Sequence, residues 1–321
     1  MGNQRTLASA AWATRKRVTR REQFLAEMNA VIPWATLVAR IAPHYPRVGR
    51  GRPPMPLERM LRIYFLQQWF NLSDPAAEDA IYDSDAMRQF VGVEFGDDAF
   101  PDESTILRFR HLLERHQLTE AMFEAVRDLL DAKGLLMRHG TIVDATILSA
   151  PSSTKNATQT RDPEMKQTRK GNAWHFGMKA HVGTDLHGIV HSITTTDAAA
   201  AEIQQLPELV HGAETSLYGD RAYWSETDRQ AAEANGVKYR VNRRGTVGHP
   251  VSERWRAINR ARSRTRAYCE HAFLVVKQLW GFAKVRYRGL AKNTVRVFAA
   301  FMLANLYRLR YELGAAEATC L

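Results

Sequence analysis

The sequence predicts an α/β chain, a mixed sheet flanked by helices, preceded by an all-helical N-terminal unit. Three observations lead there. Residues 56–134 carry apolar side chains at helical spacing and no strand-like run. From residue 140 the pattern turns to short β-branched runs separated by turn residues. Beyond that point strands and helices alternate, the order expected of an α/β sheet. The division falls at residue 135, giving a helical region over 1–135 and an α/β domain over 136–321. No internal repeat is visible.

In chain order, Phe24, Leu25, Met28, Val31 and Ile32 mark a first helix over 20–32. A breaker-rich linker follows, from Pro43 through Gly49, Arg50, Gly51, Arg52, Pro53 and Pro54. Leu57, Met60, Leu61, Tyr64 and Phe65 form an amphipathic stripe. Asp74-Pro75 reads as N-cap and first residue of the next helix. The next starts near Asp102, and another over 118–133 ends at Gly134. Residues 141–148 are a buried strand with one carboxylate, Asp144, in its middle. Residues 150–173, with Ser152, Asn156 and Thr158 among them, read as a loop. Strands over 179–183 and 189–195 flank a turn at 184–188. A helix over 200–211, a strand from Ser216 to Asp220, a helix from Ser225 to Asn235-Gly236 and a strand over 237–241 follow. A long helix spans 252–280, Lys284, Arg286 and Arg288 alternate as on a half-buried strand, and a last helix covers 291–313.

Charge is distributed unevenly. The 321 residues hold 45 Lys+Arg and 34 Asp+Glu, a net charge of +11. From Lys238 to Arg296 there are 16 bases and two acids, Glu253 and Glu270, so this stretch carries +14 and the rest about −3. A localised basic strip points to a polyanion, with nucleic acid the leading class. The 45% hydrophobic content excludes disordered and fibrous classes. No apolar run reaches the ~18 residues of a membrane span. The N-terminus lacks the apolar core of a signal peptide. Two cysteines, Cys269 and Cys320, build neither a disulfide framework nor a zinc site. The expectation is a cytoplasmic protein.

An aspartate inside an apolar strand is costly unless paired, hydrogen-bonded or metal-bound. Asp144 is one, and Asp220 ends a second strand expected beside the first, at the edge where α/β sites gather. Either alone is often a turn or cap residue; together they repel unless a cation lies between them. On a helical wheel Arg266 falls at 0°, Lys277 at about 20° and Glu270 at about 40°. Tyr268, Ala272, Val275, Val276 and Leu279 make the opposite, core face. Arg266 and Glu270 are also i, i+4 partners, so a solvated salt-bridged face remains open. Two aspartates and a glutamate suit Mg²⁺ or Mn²⁺ better than zinc, and a pair of such ions serves phosphodiester chemistry. Arg243, Arg244 and the ladder Arg254, Arg256, Arg260, Arg262, Arg264 and Arg266 read as phosphate clamps.

These residues carry a family resemblance. Arg266-x3-Glu270-x6-Lys277, Asp220-Arg221-Ala222-Tyr223, Val143-Asp144-Ala145-Thr146 and His175-Phe176-Gly177-x-Lys179-x-His181 resemble the motif blocks of a DDE transposase of a bacterial insertion sequence, in the insertion sequence five group. The match covers about 140–310, and residues 56–115 look like the family's DNA-binding unit. Where the family has a tyrosine three residues before Arg266, this chain has Ser263.

The resemblance implies an RNase H-like domain, with Asp144, Asp220 and Glu270 as catalytic and metal-holding residues for two Mg²⁺ or Mn²⁺ ions. It implies double-stranded DNA as partner, both the inverted-repeat ends and the target, and a homodimer in the DNA complex, at the nucleoid. Arg266, Lys277, Arg243, Arg244, Arg262 and Lys179 are expected to contact DNA, with Tyr223 or Trp224 stacking on a base. The rivals are a non-catalytic or domesticated DNA-binding protein, which has no need of the three carboxylates, and a stand-alone nuclease on the same fold.

Overall fold

The computed structural model describes residues 17–49, 53–94, 100–155, 159–245 and 248–318. Arg50, Gly51 and Arg52 of the expected linker, Asn156 and Thr158 of the expected loop, and Cys320 lie outside them. Twelve α-helices occur among the described residues: α1 Arg20–Val31, α2 Trp34–Ile41, α3 Leu57–Trp69, α4 Asp74–Asp83, α5 Asp85–Val91, α6 Glu103–Arg115, α7 Leu118–Ala132, α8 Leu206–Leu209, α9 Glu226–Ala234, α10 Glu253–Leu274, α11 Leu290–Arg308 and α12 Arg310–Ala318. The six strands are β1 Gly140–Ser149, β2 Lys166–Lys170, β3 Ala173–Thr184, β4 Val190–Asp197, β5 Ser216–Gly219 and β6 Lys238–Val241. Packing separates two compact units, one of Met1–Ala121 with Leu306–Leu321, the other of Met122–Asn305. The sequence places its division at 135 and does not anticipate the last residues joining the helical unit.

In the helical unit α3 is the centre. Met60, Leu61, Ile63, Tyr64, Phe65, Leu66 and Trp69 are all buried, so this helix is covered nearly all round. Phe65 meets Trp34 and Trp69 at ring distances of 5.7 and 5.9 Å. Local signals set the helix starts. Thr19 and Glu22 form a capping box before α1. Ser73, not Asp74, caps α4, its hydroxyl accepting from the Ala76 amide. Asp74 instead pairs with the buried Arg110 at 2.9 Å, and Arg110 also holds Glu114 at 2.7 Å. The seven-residue α5 is too short to show a helical period in sequence. The expected final helix breaks into α11 and α12, and Arg310 ties α12 to Glu27 of α1 at 3.0 Å. No single helix among the described residues is long and apolar enough to cross a membrane. The bent pair Arg20–Val31 and Trp34–His44 meets that test only together, and it buries Leu25, Met28, Val31, Leu37 and Ile41 in the helical unit.

The second unit is the mixed sheet. Its order is β2-β3-β1-β5-β6, with β4 also on β3. β3 runs antiparallel to β1 and β4, whereas β1, β5 and β6 are parallel. The strand order β4-β3-β1-β5-β6, with helices α9 and α10 around β6, is an RNase H-like arrangement. The expected loop over 150–173 contains a strand, β2, paired with the first half of β3. Its alternation is hidden because Lys166, Gln167, Arg169 and Lys170 are exposed on both faces. The expected helix over 200–211 shrinks to a 3₁₀ turn at Glu202–Gln205 and the single turn α8. Lys284, Arg286 and Arg288 form no strand; only Lys284 makes an isolated bridge, to Ser149.

Two strand histidines sit inside this unit. His181 and His191 are 0% and 4% exposed, and burial pushes the pKa of each down to about 4. They fold neutral, whereas in the unfolded chain they protonate near 6.5. Their contribution is therefore complete above pH 6.5 and is lost as pH falls toward 4, on the order of 2 kcal/mol each by pH 5. Urea midpoints at pH 7 and pH 5 check this: the drop in stability should be smaller in the His181→Gln/His191→Gln chain than in the native one. Comparing the two slopes cancels the other titrating groups.

Candidate active site

The parallel register between β1 and β5 pairs Val143 with Gly219. Asp144 and Asp220, one residue further along each strand, therefore stand level on neighbouring backbones, which lie about 4.8 Å apart in a sheet. Gly219 leaves room for the Val143 side chain, since a Cβ there would meet Val143 Cγ2 at 3.0 Å. β6 extends the same edge: Gly219 pairs with Val241, and the Asn242 amide donates to the Gly219 carbonyl at 3.0 Å. Asp220 ends its strand by capping the 3₁₀ turn Arg221–Tyr223, its carboxylate accepting from the Ala222 amide at 2.7 Å.

Asp144 is 8% exposed. Burial drives its pKa up to about 6, against the attraction of Arg266 and a hydrogen bond from the Ala145 amide, and Asp220 and Glu202 push it the same way as burial. The answering charge comes from α10. Arg266 Nη1 donates to Asp144 Oδ2 at 2.5 Å, and Nη2 lies 3.5 Å from Glu270 Oε1. Burial works against the Arg266 charge, but Asp144, Glu270 and Asp220 outweigh it and raise its pKa. The two pKa directions agree physically: the pair attracts, while the desolvation of Asp144 exceeds what one guanidinium returns.

The expected stripe of Arg266, Glu270 and Lys277 thus faces β1 at two of its members rather than solvent. Lys277 falls in a π-helical turn, Val275–Leu279, that continues α10. Its Nζ donates to Thr146 Oγ1 and to the Ile147 carbonyl, both at 3.0 Å, and burial lowers its pKa. Glu270 has a side chain 59% exposed. On the opposite face Ala272, Val275 and Val276 are buried as expected, but Tyr268 and Leu279 are exposed. Ser263 receives a hydrogen bond from Asn242 Nδ2 at 2.9 Å, so this residue links α10 to the end of β6.

The arginine ladder divides according to helix phase. Arg256 and Arg260 line a cleft of about 560 Å³ with Asp220, Arg221, Arg243 and Arg244. Arg262 turns to the other side, donating to the Val241 carbonyl at 2.7 Å, with its guanidinium 5.4 Å from the Trp255 ring. Arg243 lies over Trp255 at 5.1 Å and Trp224 at 6.0 Å. Two expected contacts are placed elsewhere. Lys179 is buried, pairing with Glu202 at 3.2 Å and donating to the Ala200 carbonyl. Tyr223 is 0% exposed in a core with Val143, Leu217 and Val241, so it has no free ring face for a base. Trp224 stays partly exposed beside Tyr239. Trp255, Asn242 and Asn259 were not singled out in the sequence. Trp255 and Arg262 are seven residues apart, a spacing that puts them on one helix face.

Asp144, Asp220 and Glu270 offer carboxylate oxygens only, the donor set of a hard divalent cation. Arg266 now bridges two of them, and no group of three ligating side chains converges on one point among the described residues. The donor chemistry fits such an ion provided that Arg266 releases Asp144.

Lys277 offers a direct test of the tie between α10 and β1. Lys277→Met should lower stability by about 1–3 kcal/mol in urea unfolding, because it strands the Ile147 carbonyl and Thr146 hydroxyl. A Lys277 serving only as an external phosphate contact would leave the midpoint unchanged.

The Mos1 strand transfer complex, a crystal structure, is 13% identical, with 84% of this chain and 81% of that chain covered, at a TM-score of 0.27. Residues 13–112 match the family described as Transposase domain (DUF772). Residues 136–306, more than half of the sequence and including Asp144, Asp220, Arg266, Glu270 and Lys277, match the family described as Transposase DDE domain. The chain belongs to the transposase DDE domain family.

Proposed function

We propose that this chain is a transposase of the insertion sequence five group. It cleaves at the terminal inverted repeats of its element and joins the exposed 3′-OH ends to target DNA. The observation that supports this most is the level placement of Asp144 and Asp220 on adjacent parallel strands, with Glu270 joined to Asp144 through Arg266.

In the first step water attacks the scissile phosphorus in line, and the bond to the 3′ oxygen breaks, leaving a 3′-OH. In the second that hydroxyl attacks a target phosphodiester; one P–O bond forms, one breaks, and no covalent enzyme intermediate is needed. Asp144, Asp220 and Glu270 would hold two Mg²⁺ or Mn²⁺ ions, which when bound activate the attacking oxygen and stabilise the leaving one. Arg243, Arg244, Arg256 and Arg260 would grip backbone phosphates in the cleft that ends at Asp220. Trp224 is the aromatic available for an unstacked base. The helical segment over about 56–115 is assigned to end recognition. Synapsis of two ends calls for a homodimer, acting in the cytoplasm on nucleoid DNA.

The assay uses duplex oligonucleotides carrying the element's ends. Asp144→Asn, Asp220→Asn and Glu270→Gln should each lower both cleavage and joining by about 10³-fold or more, the several kcal/mol a metal site contributes. DNA retention should persist. A chelator should stop both steps, and Mg²⁺ or Mn²⁺ should restore them. Undiminished joining in the carboxylate variants would sink this reading, and cleavage without any joining would make the chain a nuclease.

A further inference from the structure

Arg266 touches two members of the carboxylate set at once, through Nη1 on Asp144 and Nη2 on Glu270. Its third donor, Nε, is buried and has no hydrogen-bond partner among the described residues. The guanidinium therefore stands where a cation shared by Asp144 and Glu270 would stand, with its buried Nε–H unsatisfied.

We propose that Arg266 is a placeholder cation that exchanges Asp144 for a DNA phosphate, so that DNA and a divalent metal bind cooperatively. This rests on the carboxylate–metal reading above. Asp144 is buried in the field of Asp220 and Glu202. A carboxylate in that position needs a positive neighbour to stay ionised, and Arg266 supplies one before any metal arrives. The same contact blocks the metal, because Asp144 Oδ2 is occupied and two cations on one carboxylate pair repel.

Release of Asp144 requires another anion for the guanidinium. A phosphate takes a forked pair of N–H donors, and the pair Nε plus one Nη satisfies the orphaned donor as well. Phosphates reach this end of the sheet through the cleft of Arg243, Arg244, Arg256 and Arg260, which also holds Asp220. Arg266 thus makes the acid set available when DNA is in place. By reciprocity, the factor by which DNA tightens metal binding is the factor by which metal tightens DNA binding.

The test is Mn²⁺ binding to the full chain, read from the paramagnetic resonance signal of free Mn²⁺, with and without a duplex carrying the element's end. The same duplex without protein subtracts Mn²⁺ held by DNA alone. For the native chain the duplex should tighten Mn²⁺ binding about tenfold or more. Arg266→Gln should bind Mn²⁺ about tenfold tighter than the native chain without DNA, and the duplex should then add less than about threefold. Arg266→Lys, charged but unable to fork, should fall between the two, and it carries the test should the glutamine variant not fold. Mn²⁺ affinity in the Arg266 variants at or below the native value, or undiminished coupling to DNA, overturns the proposal. If Asp144→Asn and Glu270→Gln leave Mn²⁺ binding unchanged, the carboxylate–metal reading itself falls.

Discussion

Asp144 carries a carboxylate into the middle of a buried strand, and the surrounding unit is arranged around balancing that charge. The parallel register of β1 and β5 sets Asp220 level with it, which adds repulsion instead of relief. The balance comes from across the sheet edge, where α10 delivers Arg266. Desolvation of Asp144 exceeds the attraction of a single guanidinium, which is why its proton affinity stays high even in an ion pair. A site with that surplus is suited to a stronger cation than arginine.

Helix α10 does several jobs because its residues point in different directions. One face inserts Cys269, Ala272, Val275 and Val276 into the core. A second brings Arg266 to β1, with Glu270 beside it. A third, through Arg256 and Arg260, forms a basic wall of the cleft that contains Asp220. The π turn at Val275–Leu279 then sets Lys277 against Thr146 and the Ile147 carbonyl. Insertions of this kind re-aim the residues that follow them in a helix. Glu270, the Lys277 tether and the basic wall are therefore held by one rigid element, as a precise site requires.

Much of this was legible in the residues. The carboxylate inside the apolar run at 141–148 marked β1 and Asp144 together. Asp220 followed from a second short strand with the same ending. Glu270 stood out as one of two acids among sixteen bases. The six arginines at 254–266 looked alike in sequence, and the fold separates them, because each side chain's role depends on which strand or cleft its helical phase meets. Lys179 and Tyr223 depart from the expected DNA contacts for the same reason: motif position says nothing about burial, and both lie inside the unit. β2 was missed because an exposed two-sided strand has no alternation, and α5 because one or two turns show no period.

By itself the sequence determined the periodicities, the basic stretch and the family, and it singled out the three acids as candidates, since these depend on residue type and spacing along the chain. Tertiary structure alone decided that Arg266 lies between Asp144 and Glu270, that Asp144 and Asp220 are level, and that Lys277 is a tether. Those facts come from strand register and helix docking, which bring together residues far apart in the chain, 122 positions for Arg266 and Asp144 and 131 for Lys277 and Thr146. No local pattern encodes which partner a long, flexible cation meets at that range.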